Sequence, residues 1–319
     1  MQNFVALLGG AGLKVDQHVL DTIIESPQLR DGLPFCYNST SAAALYQRAS
    51  QVPRTETRVF VRKAEGVIID GLMSVPGRQS AMFFHAFRRN KPGNFIPSVL
   101  KVPERLDHAS KECRLWAQLG EQAQTGDFAL VPVSCIQLGG RHSVMRGGSE
   151  PPDVLAFARR AGVLMPKYAC TLANVPTPLD EAYGLRVFEC ITAALGFLHD
   201  RSWLHGDVKP SNIFIDMAGR PWLGDYGSSQ PHAELLQYTG GTPSYQCVEA
   251  LQELQHAPLW FDQMGLVISM LCRLGLVEAV RNAGMDGWPL VAIQAACARV
   301  EFVSIQKLLL DVASANQSS

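Results

Sequence analysis

Residues 204–227, LHGDVKPSNIFIDMAGRPWLGDYG, constrain this chain more than any other stretch. Ile213-Phe214-Ile215 is a short apolar run of β-type residues. Met217-Ala218-Gly219-Arg220-Pro221 carries turn chemistry, and Trp222-Leu223 leads back to Asp225-Tyr226-Gly227. The pattern predicts two short strands joined by a turn, with charged and amide side chains at fixed offsets. Lys209 lies two residues after Asp207, and Asn212 lies five after it. Read alone, the stretch is either a hairpin whose Asp and Asn make turns or a site that gathers two carboxylates, an ammonium and an amide.

Six positions at these spacings (His205, Asp207, Lys209, Asn212, Asp225 and Gly227) resemble the protein-kinase catalytic loop, H-R-D-x-K-x-x-N, and its metal-binding D-F-G. Gly206 replaces the Arg, and Tyr226 replaces the Phe. The resemblance implies an α+β, bilobal fold: a small antiparallel β lobe with one helix, and a mainly helical large lobe. It also implies roles. Phosphoryl transfer needs positioning and charge neutralisation more than covalent help. Asp207 would accept the proton of the substrate hydroxyl, and Lys209 would steady the moving phosphoryl group. Mg²⁺ prefers hard oxygen ligands and keeps much of its water, so Asn212 and Asp225 would suffice to hold it. His205 would be a scaffold histidine packed on Tyr226. The H-G-D and D-Y-G strings look like vaccinia-related and casein-kinase-1-like kinases.

Around this core the chain reads in order. Residues 1–57 form an extension without an assignable motif, with a helix expected at 15–24, a turn at Gly9-Gly10-Ala11-Gly12, and a helix or polar connector at 39–50. A kinase-like domain would then occupy 58–319, its small lobe near 58–165 and its large lobe near 166–319. Strands are expected at 59–61, 66–74, 81–87 and 95–102, with a turn at Asn90-Lys91-Pro92-Gly93-Asn94. Ser98-Val99-Leu100-Lys101-Val102 resembles the strand whose lysine holds the ATP phosphates, so the resemblance gives that role to Lys101. The helix expected at 107–119 carries Glu112, which resembles that lysine's partner. Where the resemblance implies a glycine-rich phosphate loop, residues 75–80 carry one glycine, Gly77, which would cover the phosphates less well. A strand is expected at 129–138, and an insertion with a short helix at 146–162. Residues 163–168 resemble the strand and hinge joining the lobes, with Met165 at the rear of an adenine pocket and Tyr168 offering backbone groups. Residues 185–199 have helical period.

Residues 228–249 resemble an activation segment. Thr242 would touch Asp207 and Lys209, the arrangement of kinases directed to serine and threonine, and Glu249 would pair with an arginine, Arg299. Asp262 and Gly265 resemble the next helix, but Trp260 stands where the family carries an Asp five residues before the Gly, so an altered helix anchor is expected. A final helix is expected at 306–312, then a frayed tail.

The chain has 319 residues, 47% of them hydrophobic, and a net charge of −1. That allows a large core and gives no global attraction to nucleic acid or membrane. No apolar run is long enough for a transmembrane helix, and the N-terminus is a poor signal peptide. Eight cysteines without a C-x-x-C pair argue against zinc and predict reduced thiols in the cytoplasm or nucleus. The resemblance implies ATP- and Mg²⁺-dependent phosphorylation of protein Ser/Thr hydroxyls, with ATP and a protein substrate as partners. Two other readings stay open: a pseudokinase scaffold, and a small-molecule kinase resembling aminoglycoside or choline phosphotransferases.

Overall fold

The computed structural model describes residues 59–62, 67–72, 81–91, 94–103, 106–119, 128–137, 143–144, 161–237, 240–276 and 287–315. The expectations for 1–57 and for Gly77 lie outside these residues, as do Pro92 and Gly93 of the turn at 90–94 and most of the insertion at 146–162. The described residues fall in two compact units, one drawn from 1–110 and 133–167, the other from 111–132 and 168–319.

The first unit is built on one sheet. Its strands are β1 (Val59–Arg62), β2 (Val67–Leu72), β3 (Ala81–Lys91), β4 (Asn94–Pro103), β5 (Ser134–Gln137), β6 (Ser143–Val144) and β7 (Ala161–Pro166). Their order is β5-β7-β4-β3-β2-β1-β6, and every described pairing is antiparallel. The β3–β4 hairpin runs from Ala81↔Pro103 to Lys91↔Asn94. It is longer than the apolar runs at 81–87 and 95–102, because backbone pairing continues past the end of each run. The 129–138 expectation shrinks to β5, since residues 129–133 run as irregular chain apart from a bridge at Leu130. Residues 161–162, assigned in sequence to an insertion, open β7 instead. Val67, Phe84, Ala86, Leu100, Val102, Ile136 and Leu164 make the core of this unit.

The second unit is mainly helical. Helix α1 (Leu106–Leu119) leads into it. Helix α2 (Glu181–His199) begins four residues before its expected start, because the Asp180 carboxylate caps it by accepting from Tyr183 N at 2.9 Å. Its face of Val187, Phe188, Ile191, Leu195 and Leu198 is buried. Short strands β8 (Cys170–Thr171), β9 (Trp203–Leu204), β10 (Ile213–Ile215), β11 (Pro221–Leu223) and β12 (Gln230–Pro231) follow the chain. The β10–β11 pair is the hairpin expected from 204–227. Helices α3 (Val248–Gln252), α4 (Pro258–Arg273), α5 (Leu290–Cys297) and α6 (Val303–Ser314) complete the unit. Helix α4 is buried on nearly all sides from Met264 to Leu271, so it is a core helix of this unit. Helix α6 is longer at both ends than expected, and Ala313, read as part of a frayed tail, is buried.

Cys170, Cys190, Cys247, Cys272 and Cys297 are free thiols. No helix among the described residues is long and apolar enough to cross a membrane.

Candidate active site

The loop between β9 and β10 is held from beneath by one carboxylate. Asp262 on α4 has a fully buried side chain. Its Oδ2 accepts from His205 N at 2.8 Å, and its Oδ1 accepts from Gly206 N at 2.9 Å. His199, the last residue of α2, brings Nε2 to 2.8 Å from the same Oδ2. This corrects the expectation of an altered anchor at Trp260. Counting back from Gly265 pointed to the wrong residue; the side chain that reaches the loop is Asp262. Trp260 instead donates its indole N–H to Val312 O at 3.1 Å. Gly206 sits at φ 82°, in the left-handed region, where a side chain would be strained.

The same loop gathers the charged groups. Lys209 Nζ donates to Asp207 Oδ2 at 2.7 Å and to Thr242 Oγ1 at 2.7 Å. Thr242 Oγ1 donates to Asp207 Oδ1 at 2.7 Å. A carboxylate, an ammonium and a hydroxyl thus close a triangle across 35 residues of chain. Such charge-assisted bonds are short and about twice as strong as neutral ones. Asn212 ends a 3-10 turn (Pro210–Asn212) and points back, Nδ2 donating to Asp207 O at 2.8 Å and to Asp207 Oδ2 at 3.2 Å. Its amide nitrogen is therefore spent on Asp207, which leaves the carbonyl oxygen as the atom to offer a cation. Gly224 N donates to Asn212 O at 2.9 Å and so ties this turn to the strand that leads to Asp225.

Asp225 has φ 63° and ψ 74°, left-handed backbone that costs a non-glycine residue of order 1–3 kcal/mol. Such strain, held in place by the surroundings, is a mark of a functional position. Asn212 and Asp225 together supply one amide oxygen and one carboxylate. That set fits Mg²⁺, which is bound by few protein oxygens and retains water. No cluster of three His, Cys, Asp or Glu side chains suited to a metal occurs among the described residues, so the donors do not make a closed cage.

His205 is fully buried and stands edge-on to Tyr226, with ring centroids 5.8 Å apart. Its Nε2 faces Gly224 O at 3.1 Å, and its Nδ1 accepts from Asp207 N at 3.3 Å. One ring nitrogen donates and the other accepts, which assigns a neutral imidazole with the proton on Nε2. This histidine orients the loop and is not placed as a base. Tyr226 is fully buried beside Trp116, and its hydroxyl is shared between Leu223 O at 2.9 Å and Val131 O at 3.1 Å. Burial pushes this phenol far above its ordinary range, so it stays protonated and donating.

The remaining candidates sit on other elements. Lys101 lies on β4 opposite Phe83 and Val163, and is buried. Met165 lies on β7 opposite Val99, also buried. Glu112 on α1 is fully buried. Tyr168 packs its ring on Phe214 and Trp222, at centroid distances of 5.4 and 6.3 Å. Burial and the Asp216 carboxylate raise its phenol above the ordinary value.

Glu249 does not pair with Arg299. Its Oε2 accepts from Leu290 N at 2.8 Å and from the Cys247 thiol at 3.3 Å. Burial pushes that thiol up to about 12, so it remains a neutral donor. Sequence reasoning missed Asp262 and His199 as site residues. The signal for His199 was its place at the end of the long helix, just before the loop. For Leu290 there was none, because a backbone amide has no residue type.

Residues 167–272, about a third of the chain, match the protein kinase domain. Over 176 residues the chain is 33% identical to a calcium/calmodulin-dependent protein kinase kinase of Caenorhabditis elegans, covering 52% of this chain and 27% of that protein. It is 33% identical over 102 residues to CBL-interacting protein kinase 16 of Oryza sativa subsp. japonica, covering 29% and 22%. It is 25% identical over 111 residues to the serine/threonine-protein kinase GRIK1 of Arabidopsis thaliana, covering 34% and 28%. The chain thus spans only about a quarter of the length of these relatives. With an antiparallel sheet in the first unit and a mainly helical second unit, it has the α+β, protein-kinase-like fold.

Proposed function

We propose that this chain transfers the γ-phosphoryl group of ATP, with Mg²⁺, to serine and threonine hydroxyls of protein substrates. The observation that carries this is the triangle of Asp207, Lys209 and Thr242. Asp207 accepts the proton of the incoming hydroxyl. Lys209 keeps one N–H on that carboxylate and has another to set against the transferred group. MgATP supplies the phosphoryl donor and the charge neutralisation that its transfer needs. Asn212 and Asp225 offer the metal oxygens, and the family resemblance gives Lys101 a phosphate contact, Glu112 the role of that lysine's partner, and Met165 and Tyr168 places in an adenine pocket. On this reading the acceptor backbone of a short side chain approaches Thr242, whose bond to Lys209 takes the space a tyrosine ring would need. The names of the relatives, all kinases and one a serine/threonine-protein kinase, support the same reading. A finer kinship with vaccinia-related and casein-kinase-1-like kinases rests on the H-G-D and D-Y-G strings alone. A scaffold needs no convergence of carboxylate, ammonium and hydroxyl, and a small-molecule kinase needs no Thr242 segment.

The test is transfer of radiolabelled phosphate from ATP to mixed protein substrates by purified protein. Asp207→Asn keeps the shape and loses the proton acceptor, so the rate falls by about 10²-fold or more while the protein stays folded. Equal turnover by Asp207→Asn removes Asp207 as the base. Labelling of an aminoglycoside or of choline, with none of protein, overturns the choice of substrate class.

A further inference from the structure

Glu249 and the five residues before it are tied down by a second stretch of chain that no motif marks. Trp288 N donates to Gln246 O at 2.8 Å, and Val248 N donates to Trp288 O at 3.0 Å. The two bonds straddle Cys247 and form a parallel bridge with it. The Trp288 indole N–H donates to Ser244 O at 2.9 Å, from a ring only 4% exposed. Leu290 N then donates to Glu249 Oε2. The approach is built for glycine at residue 287. Its φ is 110°, and a Cβ there would lie 3.2 Å from Gln246 O and 3.3 Å from Val248 Cγ2.

Only a 3-10 turn, Pro243–Tyr245, separates this clamp from Thr242. That turn is closed by Tyr245 N donating to Thr242 O at 2.9 Å and Gln246 N donating to Pro243 O at 3.0 Å. Ser244 O, held by the indole, lies within the turn itself. A short rigid turn passes any displacement of residue 244 on to residue 242, whose hydroxyl bonds Asp207 and Lys209.

We propose that Trp288 is a positioning residue: it fixes the 242–249 segment so that Thr242 stays on Asp207 and Lys209, and so sets the acceptor-polypeptide site. The proposal rests on the kinase reading above, and its test separates the two. It needs no modification of the segment, because the bonds come from the backbone and an indole.

The experiment compares wild type with Trp288→Phe, which keeps an aromatic ring and removes the donor to Ser244 O. A second variant, Gly287→Ala, leaves Trp288 intact and presses on Gln246 O. A control, Trp260→Phe, loses an equivalent indole bond to Val312 O on another face. Losing the part-buried indole bond to the exposed Ser244, or crowding Gln246 O from residue 287, predicts a rise of about three- to tenfold in KM for an acceptor peptide. The thermal shift given by MgATP stays as in wild type, and the control keeps its peptide KM. Amide hydrogen exchange at Tyr245, Gln246 and Val248 quickens in both test variants and not in the control. Unchanged exchange and unchanged peptide KM in the two variants overturn the clamp. An equal loss of the MgATP shift overturns it too, since the effect is then global. If wild type transfers no phosphate to protein, the kinase reading falls, and exchange alone decides the clamp.

Discussion

Asp262 offers the sharpest test of how the loop is held. Its carboxylate takes three donors in a site without solvent: His205 N, Gly206 N and His199 Nε2, all at 2.8–2.9 Å. Asp262→Asn preserves the shape but turns one oxygen into a donor. The least costly orientation keeps the remaining oxygen on His205 N and His199 Nε2 and sets the new NH₂ against Gly206 N. One buried backbone N–H is then orphaned, and two charge-assisted bonds become neutral ones. At 1–3 kcal/mol for the orphan, and allowing for relief of the buried charge, the loss is about 2–3 kcal/mol. Asp262→Ala orphans all three donors and opens a cavity, for about 4–5 kcal/mol. For a unit of this size each kcal/mol lowers Tm by about 2–4 °C. Thermal unfolding should therefore show a drop of about 5–10 °C for the Asn variant and more for Ala. Phosphotransfer should fall in both, because the two tethered amides precede Asp207 directly. An Ala variant that melts within about 2 °C of wild type, with unchanged transfer, refutes the idea that this carboxylate carries the loop.

Other outcomes follow from the site. Asp225→Ala and Lys101→Met should each weaken the thermal stabilisation that wild type gains from MgATP, as loss of a ligand contact must; wild type without any shift at millimolar MgATP counts against the nucleotide reading. Burial, then the neighbouring His199, lowers His232 from its ordinary 6.5, so its contribution to stability is complete above pH 6.5 and is lost as pH falls through the lowered value. His232→Gln should flatten the dependence of Tm on pH below 6.5, and an unchanged slope removes His232 from the acid response. Thr242→Val loses a hydroxyl that bonds both Asp207 and Lys209, and should cut transfer to peptide by about tenfold or more while sparing MgATP binding. Phosphoamino-acid analysis of labelled product should give phosphoserine or phosphothreonine, and predominant phosphotyrosine contradicts the assignment.

Much of the second unit was legible because its information is local. The 204–227 hairpin followed from turn residues and a three-residue apolar run, and α2 followed from its helical period. The meeting of Asp207 with Thr242 was legible only through the family pattern, since nothing local joins residues 35 apart. Failures came where geometry overrode counting. Asp262 stands three residues before Gly265, not five, so the spacing hides it, although it is a lone carboxylate on an apolar helix. A buried aspartate needs partners, and the nearest unsatisfied donors were the loop amides. Charge alone points Glu249 to Arg299, yet the carboxylate takes the Leu290 amide, which is fixed in place at the start of α5.

In kinases with an Arg before the loop aspartate, that side chain pairs with a phosphate and orders the segment. Gly206 has no side chain to do so, and its φ of 82° would strain one. What holds the loop here is already present without modification: a buried carboxylate on two amides, a neutral histidine on Gly224 O, and Thr242 on Asp207. On the far side of Thr242 the backbone of Trp288 and the amide of Leu290 serve the segment in the same way. Each of these bonds forms when the chain folds, so assembly is coupled to folding and not to a later charge. Activity that is independent of phosphorylation of the 228–249 segment is the consequence, and Ser228→Ala and Thr239→Ala should both retain it. Loss of transfer in Thr239→Ala, restored by an acidic residue at that position, would mean that an added charge completes the site after all.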